Sequence, residues 1–203
     1  IDISQEMLYQ SSIKLQNDLP KIINHPIASE YFDGIETVTK FISSQHNIPN
    51  NKLILFLGSS LGNLEPEDAI IFLRNLREKI NKEDALLVGF DLQKKKSILE
   101  SAYNDGEGYT AKFNLNILER INKELDGEFD LENFRHSAYY NNVKNRIEMH
   151  IISKIKQRVK VGKLNQDFDF EKGETIHTEN SYKYSLRSIE QLANKSNLRV
   201  ARN

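Results

Sequence analysis

The feature that most constrains this chain is an unbroken apolar run, Leu53-Ile54-Leu55-Phe56-Leu57, that stops at Gly58. A run this short, closed by a glycine, has the pattern of a strand buried on both faces of a parallel sheet. The same rhythm stands on either side of it. Ile1–Ile3 reads as a strand end, and Ser4 is a good N-cap for a helix carrying Met7, Leu8, Ile13 and Leu15, which Pro20 stops. Asp33 and Glu36 have the spacing of a capping box, with Ile35, Val38, Phe41 and Ile42 at helical spacing behind them. Pro66 suits the first position of a helix whose stripe is Ile70, Ile71, Leu73, Leu76 and Ile80, and residues 86–90 supply another buried strand. Residues 1–93 therefore predict an α/β layer with a mainly parallel sheet.

From about Leu92 the pattern changes. Two helices are expected, around 95–103 and 111–125, the second with Phe113, Ile117, Leu118, Ile121 and Leu125 on one face; Gly106 and Gly108 separate them. Residues 136–183 then alternate as strands, through Ile147, Met149 and Ile151, then Val159 and Val161, then Phe168 and Phe170. This reads as an α+β insertion over residues 94–183. A helix with Ile189, Leu192 and Ala193 follows, and Leu198-Arg199-Val200 predicts a strand, so residues 184–203 restart the first rhythm.

Several function classes are disfavoured by composition. The apolar run falls far short of the ~20 residues a spanning helix needs, so no membrane segment is expected. With 28 basic and 29 acidic residues the net charge is −1, which gives no global field toward nucleic acid or an anionic bilayer. Zero cysteines exclude disulfides, thiolate metal ligands and a cysteine nucleophile, and a cytoplasmic location is expected. The start at Ile1, without methionine or signal pattern, reads as a piece cut mid-strand. Oligomeric state is left open.

In an open parallel sheet, ligands bind beyond the carboxyl ends of the strands. Three polar turns qualify: Asp2-Ile3-Ser4, residues 58–63, and Asp91. Asp2 is placed either to accept both hydroxyls of a ribose or simply to cap a helix. The turn from Gly58 to Asn63 needs glycine for its backbone angles, but a turn alone does not call for the Asn63 amide beside it. It lacks the lysine of a phosphate-binding loop. His25, His46, His136, His150 and His177 show no metal-ligand spacing, so no metal is expected. The Lys94–Lys96 run and the basic strand from Lys154 to Lys163 read as solvated edges. In Thr178-Glu179-Asn180-Ser181-Tyr182-Lys183, strand alternation puts Glu179 and Ser181 on one face. That pair either clasps an imidazole, the carboxylate accepting from one ring N–H and the hydroxyl serving the other nitrogen, or is a solvent-facing polar strand.

Together, Asp2-Ile3-Ser4, residues 57–66, Leu87-Val88-Gly89-Phe90-Asp91-Leu92, Ala102-Tyr103-Asn104-Asp105, Phe113-Asn114-Leu115-Asn116, Arg146-Ile147-Glu148-Met149, and Gly173-Glu174 leading to residues 178–183 resemble a known family. They resemble, in order and across nearly the whole chain, the histidine-specific S-adenosylmethionine-dependent methyltransferases of ergothioneine biosynthesis, which convert L-histidine into its α-N-trimethyl form, hercynine. The resemblance implies a class I methyltransferase Rossmann-like sheet, residues 1–93 and 184–203, truncated at both ends, with residues 94–183 as a substrate-recognition domain. It implies that Asp2 holds the cofactor ribose, that Glu30 and Tyr31 are the acidic and aromatic pair at the adenine, and that Gly58 lines the methyl-transfer chamber. Glu30 stands where the family usually has Asp. Asn63 and Tyr103 would hold the α-carboxylate, Glu179 and Ser181 the imidazole, with Met149 on the wall. No general base is assigned. The family's glycine-rich cofactor loop has no counterpart after Ile1, so this chain alone is expected to be inactive. Two alternatives are a relative acting on another amino acid, such as an indole-containing one, and a non-catalytic binding module that keeps the fold.

Overall fold

A computed structural model describes residues 1–44 and 51–201; His46 lies outside the described residues. The chain is a mixed α/β structure that divides into two compact units, one of Ile1–Leu55, Ile70–Leu87 and Leu192–Asn203, the other of Phe56–Ala69 and Val88–Gln191.

In the first unit, α1 (Gln5–Asp18) starts as expected at Ser4, whose hydroxyl accepts from the Met7 N–H at 3.3 Å. α2 (Tyr31–Ser43) starts earlier than the Asp33–Glu36 spacing suggested. Glu30 is extended and its carbonyl accepts the first helical bond, from Gly34 N–H. Asp33 instead occupies the first turn, where a negative charge suits the helix dipole. β1 (Leu53–Phe56) pairs with β2 (Ala85–Val88) in a two-stranded sheet, each strand with its last residue assigned to the second unit, and α3 (Pro66–Glu78) begins at Pro66 in the second unit and continues in the first from Ile70. The expectation of strands buried on both faces is not met: Leu53, Leu55 and Leu87 are exposed, at 64%, 57% and 52%. Only alternate residues are partly covered, as a sheet sheltered on one side requires. The core here is Ile35, Leu73, Leu76, Ile80 and Leu192. Residues 198–200 form no strand. α6 (Leu186–Lys195) closes with Asn197 at φ +57, and the Leu198 N–H is spent on the Ala193 carbonyl.

The second unit is built on an antiparallel sheet ordered β3 (Phe134–Asn141), β4 (Arg146–Ser153), β7 (Thr175–Tyr182), with β5 (Gln157–Val161) and β6 (Gln166–Phe170) forming a separate hairpin. Against β3 and β4 lie α4 (Lys96–Tyr103) and α5 (Tyr109–Leu125). Two apolar clusters fill the unit. One gathers Leu118, Phe129, Phe134, Ile151, Val159 and Val161; the other gathers Leu99, Ala138, Tyr140, Ile147 and Met149, with Tyr103 packed on it. The register of β4 with β7 shifts between Met149 and His150, so Thr178 is an extra residue in the ladder. Beyond that bulge, Glu179 faces Met149 and Ser181 faces Ile147.

Candidate active site

The second apolar cluster puts a dry floor beneath a group of polar side chains. β7 alternates as a strand should: Asn180 and Tyr182 reach one way, to Glu65, while Ser181 and Lys183 reach the other, to Tyr103. Tyr103, from the last turn of α4, bonds to Ser181 Oγ at 2.8 Å. The Lys183 ammonium donates to Ser181 Oγ at 2.7 Å and to Tyr103 Oη at 2.9 Å, and pairs with Asp91 Oδ2 at 3.0 Å. Its side chain is fully buried. Asp91 is held in place through its backbone, whose carbonyl accepts from Tyr184 N–H. Burial alone would raise the Asp91 carboxyl, but hydrogen bonds from Lys94 and Lys183 leave it below its ordinary value.

Glu179 lies on the face of Ser181 and directly across from buried Met149. Among the described residues no hydrogen bond or ion pair reaches its carboxylate. Burial pushes its carboxyl above the ordinary value, with the Lys183 charge opposing. A half-buried carboxylate without a partner is costly, and a ring N–H supplied by a ligand would offset that cost.

The turn from Gly58 to Asn63 is pinned against this strand. Gly58 at φ +85 and Ser59 at φ +61 turn the chain into a short 3-10 segment, Ser60–Asn63. At Gly62 a β-carbon would sit 3.0 Å from the Tyr182 carbonyl oxygen, so glycine is what allows the turn to lie on β7. Just beyond it, Glu65 accepts from Arg146 Nη1 at 2.7 Å, Tyr182 Oη at 2.5 Å and Asn180 Nδ2 at 3.1 Å. These bonds, that from Tyr182 above all, hold its carboxyl below the ordinary range. Arg146 is buried and also donates to Glu148 at 2.8 Å. Asn63 thus ends a fixed turn with its side chain exposed.

Of the residues singled out in the sequence, Gly58, Asn63, Tyr103, Met149, Glu179 and Ser181 all belong to the second unit. Asp2, Glu30 and Tyr31 belong to the first. There Asp2 bridges to Ala28 in parallel fashion, which brings its chain segment alongside the residues leading into Glu30. One Asp2 carboxylate oxygen accepts from Ser4 N–H at 2.8 Å, an Asx turn just ahead of α1, whose cap is Ser4 itself, and the Glu30 carboxylate makes no cap bond. Tyr31 sets its ring edge-on against Phe72, centroids 6.2 Å apart.

The sequence reading names Asp91 only as a polar turn beyond a strand end, and it names neither Lys183 nor the Arg146–Glu65 anchor as part of a site. The signal for Lys183 was available, since it follows Ser181 by two and shares its face. Glu148, His150 and His177 also come together, with potential ligand atoms within 4.8 Å of one another. Spacing gave no hint of this grouping. Its geometry suits stacking rather than a metal: the imidazoles are nearly parallel, 15° apart with centroids at 4.6 Å, so their in-plane lone pairs do not converge. Glu148 already accepts from Tyr139, Asn141 and Arg146, which outweigh burial and hold its carboxyl at about 2.

This arrangement sets an acceptor and a pair of bonded hydroxyls over an apolar cluster, beside a glycine-bounded turn. The whole chain, residues 1–203, matches the family model of the histidine-specific, SAM-dependent methyltransferases, and the chain belongs to that family. It is 42% identical over 188 residues to the histidine N-alpha-methyltransferase of Mycobacterium tuberculosis (strain CDC 1551 / Oshkosh), covering 93% of this chain and 56% of that protein. It is 41% identical over 138 residues to the histidine N-alpha-methyltransferase of Mycolicibacterium smegmatis (strain ATCC 700084 / mc(2)155), covering 68% and 43%. A third relative, ergothioneine biosynthesis protein 1 of Neurospora crassa, is 28% identical over 207 residues, covering 95% of this chain and 21% of that protein. The chain spans about half the length of the first two relatives. No helix among the described residues is long and apolar enough to cross a membrane.

Proposed function

We propose that the protein containing this chain is a cytoplasmic S-adenosylmethionine-dependent methyltransferase that acts on the α-amine of L-histidine and gives trimethylhistidine, hercynine, for ergothioneine biosynthesis. Residues 1–93 and 184–203 belong to its class I Rossmann-like domain, and residues 94–183 to an inserted substrate domain. The observation that carries the reading is the unpartnered Glu179 carboxylate beside the Ser181–Tyr103 hydroxyls, over Met149. An acceptor and a hydroxyl so placed match the two nitrogens of a neutral imidazole. Asn63 and Tyr103 are assigned to the substrate carboxylate; because Tyr103 gives its proton to Ser181, the Asn63 amide is the hydrogen-bond donor there and Tyr103 only lines that end of the site.

Asp2, Glu30, Tyr31 and Gly58 are assigned to the cofactor. Their chemistry fits: Asp2 keeps one carboxylate oxygen uncommitted for ribose hydroxyls, Glu30 has an uncapped acceptor for an exocyclic amine, and a β-carbon at Gly58 would meet little besides Ser60 Oγ at 3.7 Å. The bound cofactor supplies a sulfonium methyl, already activated toward displacement. The protein's part is to hold the neutral α-amine in line with that methyl, so rate comes mainly from proximity and orientation. The amine's proton passes to solvent, and no side chain is assigned as general base.

The test is turnover by the full-length protein with S-adenosylmethionine and a panel of free amino acids, with products identified by mass spectrometry. Histidine trimethylated on its α-nitrogen is expected. Turnover of another amino acid in its place would point to a relative with different specificity, and failure to bind S-adenosylmethionine would point to a binding module.

A further inference from the structure

We propose that Lys183 is a positioning residue for substrate specificity: its ammonium fixes the hydroxyls of Ser181 and Tyr103 so that one O–H proton is left to point at the ligand. The inference rests on the histidine reading above and deepens it.

Lys183 is a donor only, and its three N–H groups are matched by three acceptors: Asp91 Oδ2 at 3.0 Å, Tyr103 Oη at 2.9 Å and Ser181 Oγ at 2.7 Å. Being fully buried, it has no water to turn to. Neither hydroxyl can give its proton to an ammonium. The two hydroxyls bond to each other at 2.8 Å, and that bond consumes one of their two protons whichever way it runs. Among the described residues neither oxygen has a further partner. One proton therefore remains. With Tyr103 donating to Ser181, it is the Ser181 proton, on the face that Glu179 shares.

Without Lys183 this polarity is lost. The hydroxyls could then swing to accept from a ligand as readily as donate to it, and Ser181 would serve a ring N–H as well as a bare ring nitrogen. With Lys183 in place the pocket offers an acceptor, Glu179, and a donor, the remaining O–H. That pattern fits a neutral imidazole, which has one N–H and one bare nitrogen. It penalises a ring that has only an N–H, because a buried donor is left unmatched.

The experiment compares L-histidine with 3-(2-pyrrolyl)alanine, which keeps a ring N–H but has no bare ring nitrogen, by calorimetric titration of the full-length protein. The unaltered protein is expected to favour histidine by at least roughly tenfold, and Lys183→Met to erase most of that preference while S-adenosylmethionine binds as before. Because Lys183→Met leaves the half-buried Asp91 carboxylate with Lys94 as its remaining cation, the paired change Asp91→Asn with Lys183→Met is measured alongside, with the same expectation. An unaltered protein that binds neither amino acid would refute the histidine reading itself. Preserved histidine preference in either folded variant would overturn the role given to Lys183.

Discussion

The two units of this chain treat polar groups in opposite ways. In the second, Arg146, Glu148, Ser181 and Lys183 are buried and bonded to one another's neighbours over two apolar clusters. In the first, α1 buries no residue at all, and Asp2, Glu30 and Tyr31 sit at the ends of extended segments and the start of a helix. The difference teaches where selectivity can be built. Reading a small polar ring requires donors and acceptors held in fixed directions, which buried networks provide. Ribose and adenine groups can be met by a carboxylate at a strand end and an aromatic ring at a helix start.

The largest effect should come from breaking the network in the second unit. Arg146→Met leaves Glu148 buried without its cation and takes the cation from Glu65, and should cost about 3–5 kcal/mol in urea unfolding of the full-length protein. The Glu148 carboxyl is lowered from 4.5 to about 2 in the folded state. Its stabilisation is therefore complete above the ordinary value and is lost as pH falls through 4.5 toward 2. A urea midpoint that does not decline over that window would contradict the network's role. Next, Asn63→Ala should remove about 1.5–3 kcal/mol of histidine binding, a hydrogen bond to a charged partner, and spare S-adenosylmethionine. Equal loss of both ligands in calorimetry would mean that Asn63 only supports the turn. Gly62→Ala drives a β-carbon against the Tyr182 carbonyl and should cost about 1–3 kcal/mol of stability, with histidine affinity falling in step. In the first unit the expected effect is smaller: Ser4→Ala removes the α1 cap for about 1 kcal/mol in thermal unfolding, with histidine affinity unchanged.

Much of the fold was legible because local rules acted alone. Ser4 caps α1 and Pro66 opens α3 as their chemistry dictates, and period-two alternation located β4 to β7. The failures lie where tertiary context decides. The run at Leu53 cannot say how many sheet faces are covered, and Asn197 in the left-handed region turned residues 198–200 from a ladder into a helix terminus. For the site, alternation places Glu179 with Ser181, while the bond between Tyr103 and Ser181, 78 residues apart, has no signal in the sequence, and the family resemblance puts Tyr103 with Asn63 at the carboxylate instead. Lys183 was passed over because a lysine on a strand is most often solvated, and burial is not written in a residue's identity. The bulge at Thr178, which sets Glu179 opposite Met149, has no sequence signal of its own.

The central claim is that Glu179 reads the imidazole of histidine. It is tested most directly by titrating L-histidine and L-tryptophan against the full-length protein and its Glu179→Ala variant. Loss of a charge-assisted hydrogen bond in a sheltered pocket predicts that the histidine dissociation constant rises on the order of tenfold or more. Tryptophan, relieved of a carboxylate that burial has already made costly, should hold its affinity or gain. A ratio of the two dissociation constants that is the same in both proteins would contradict the claim.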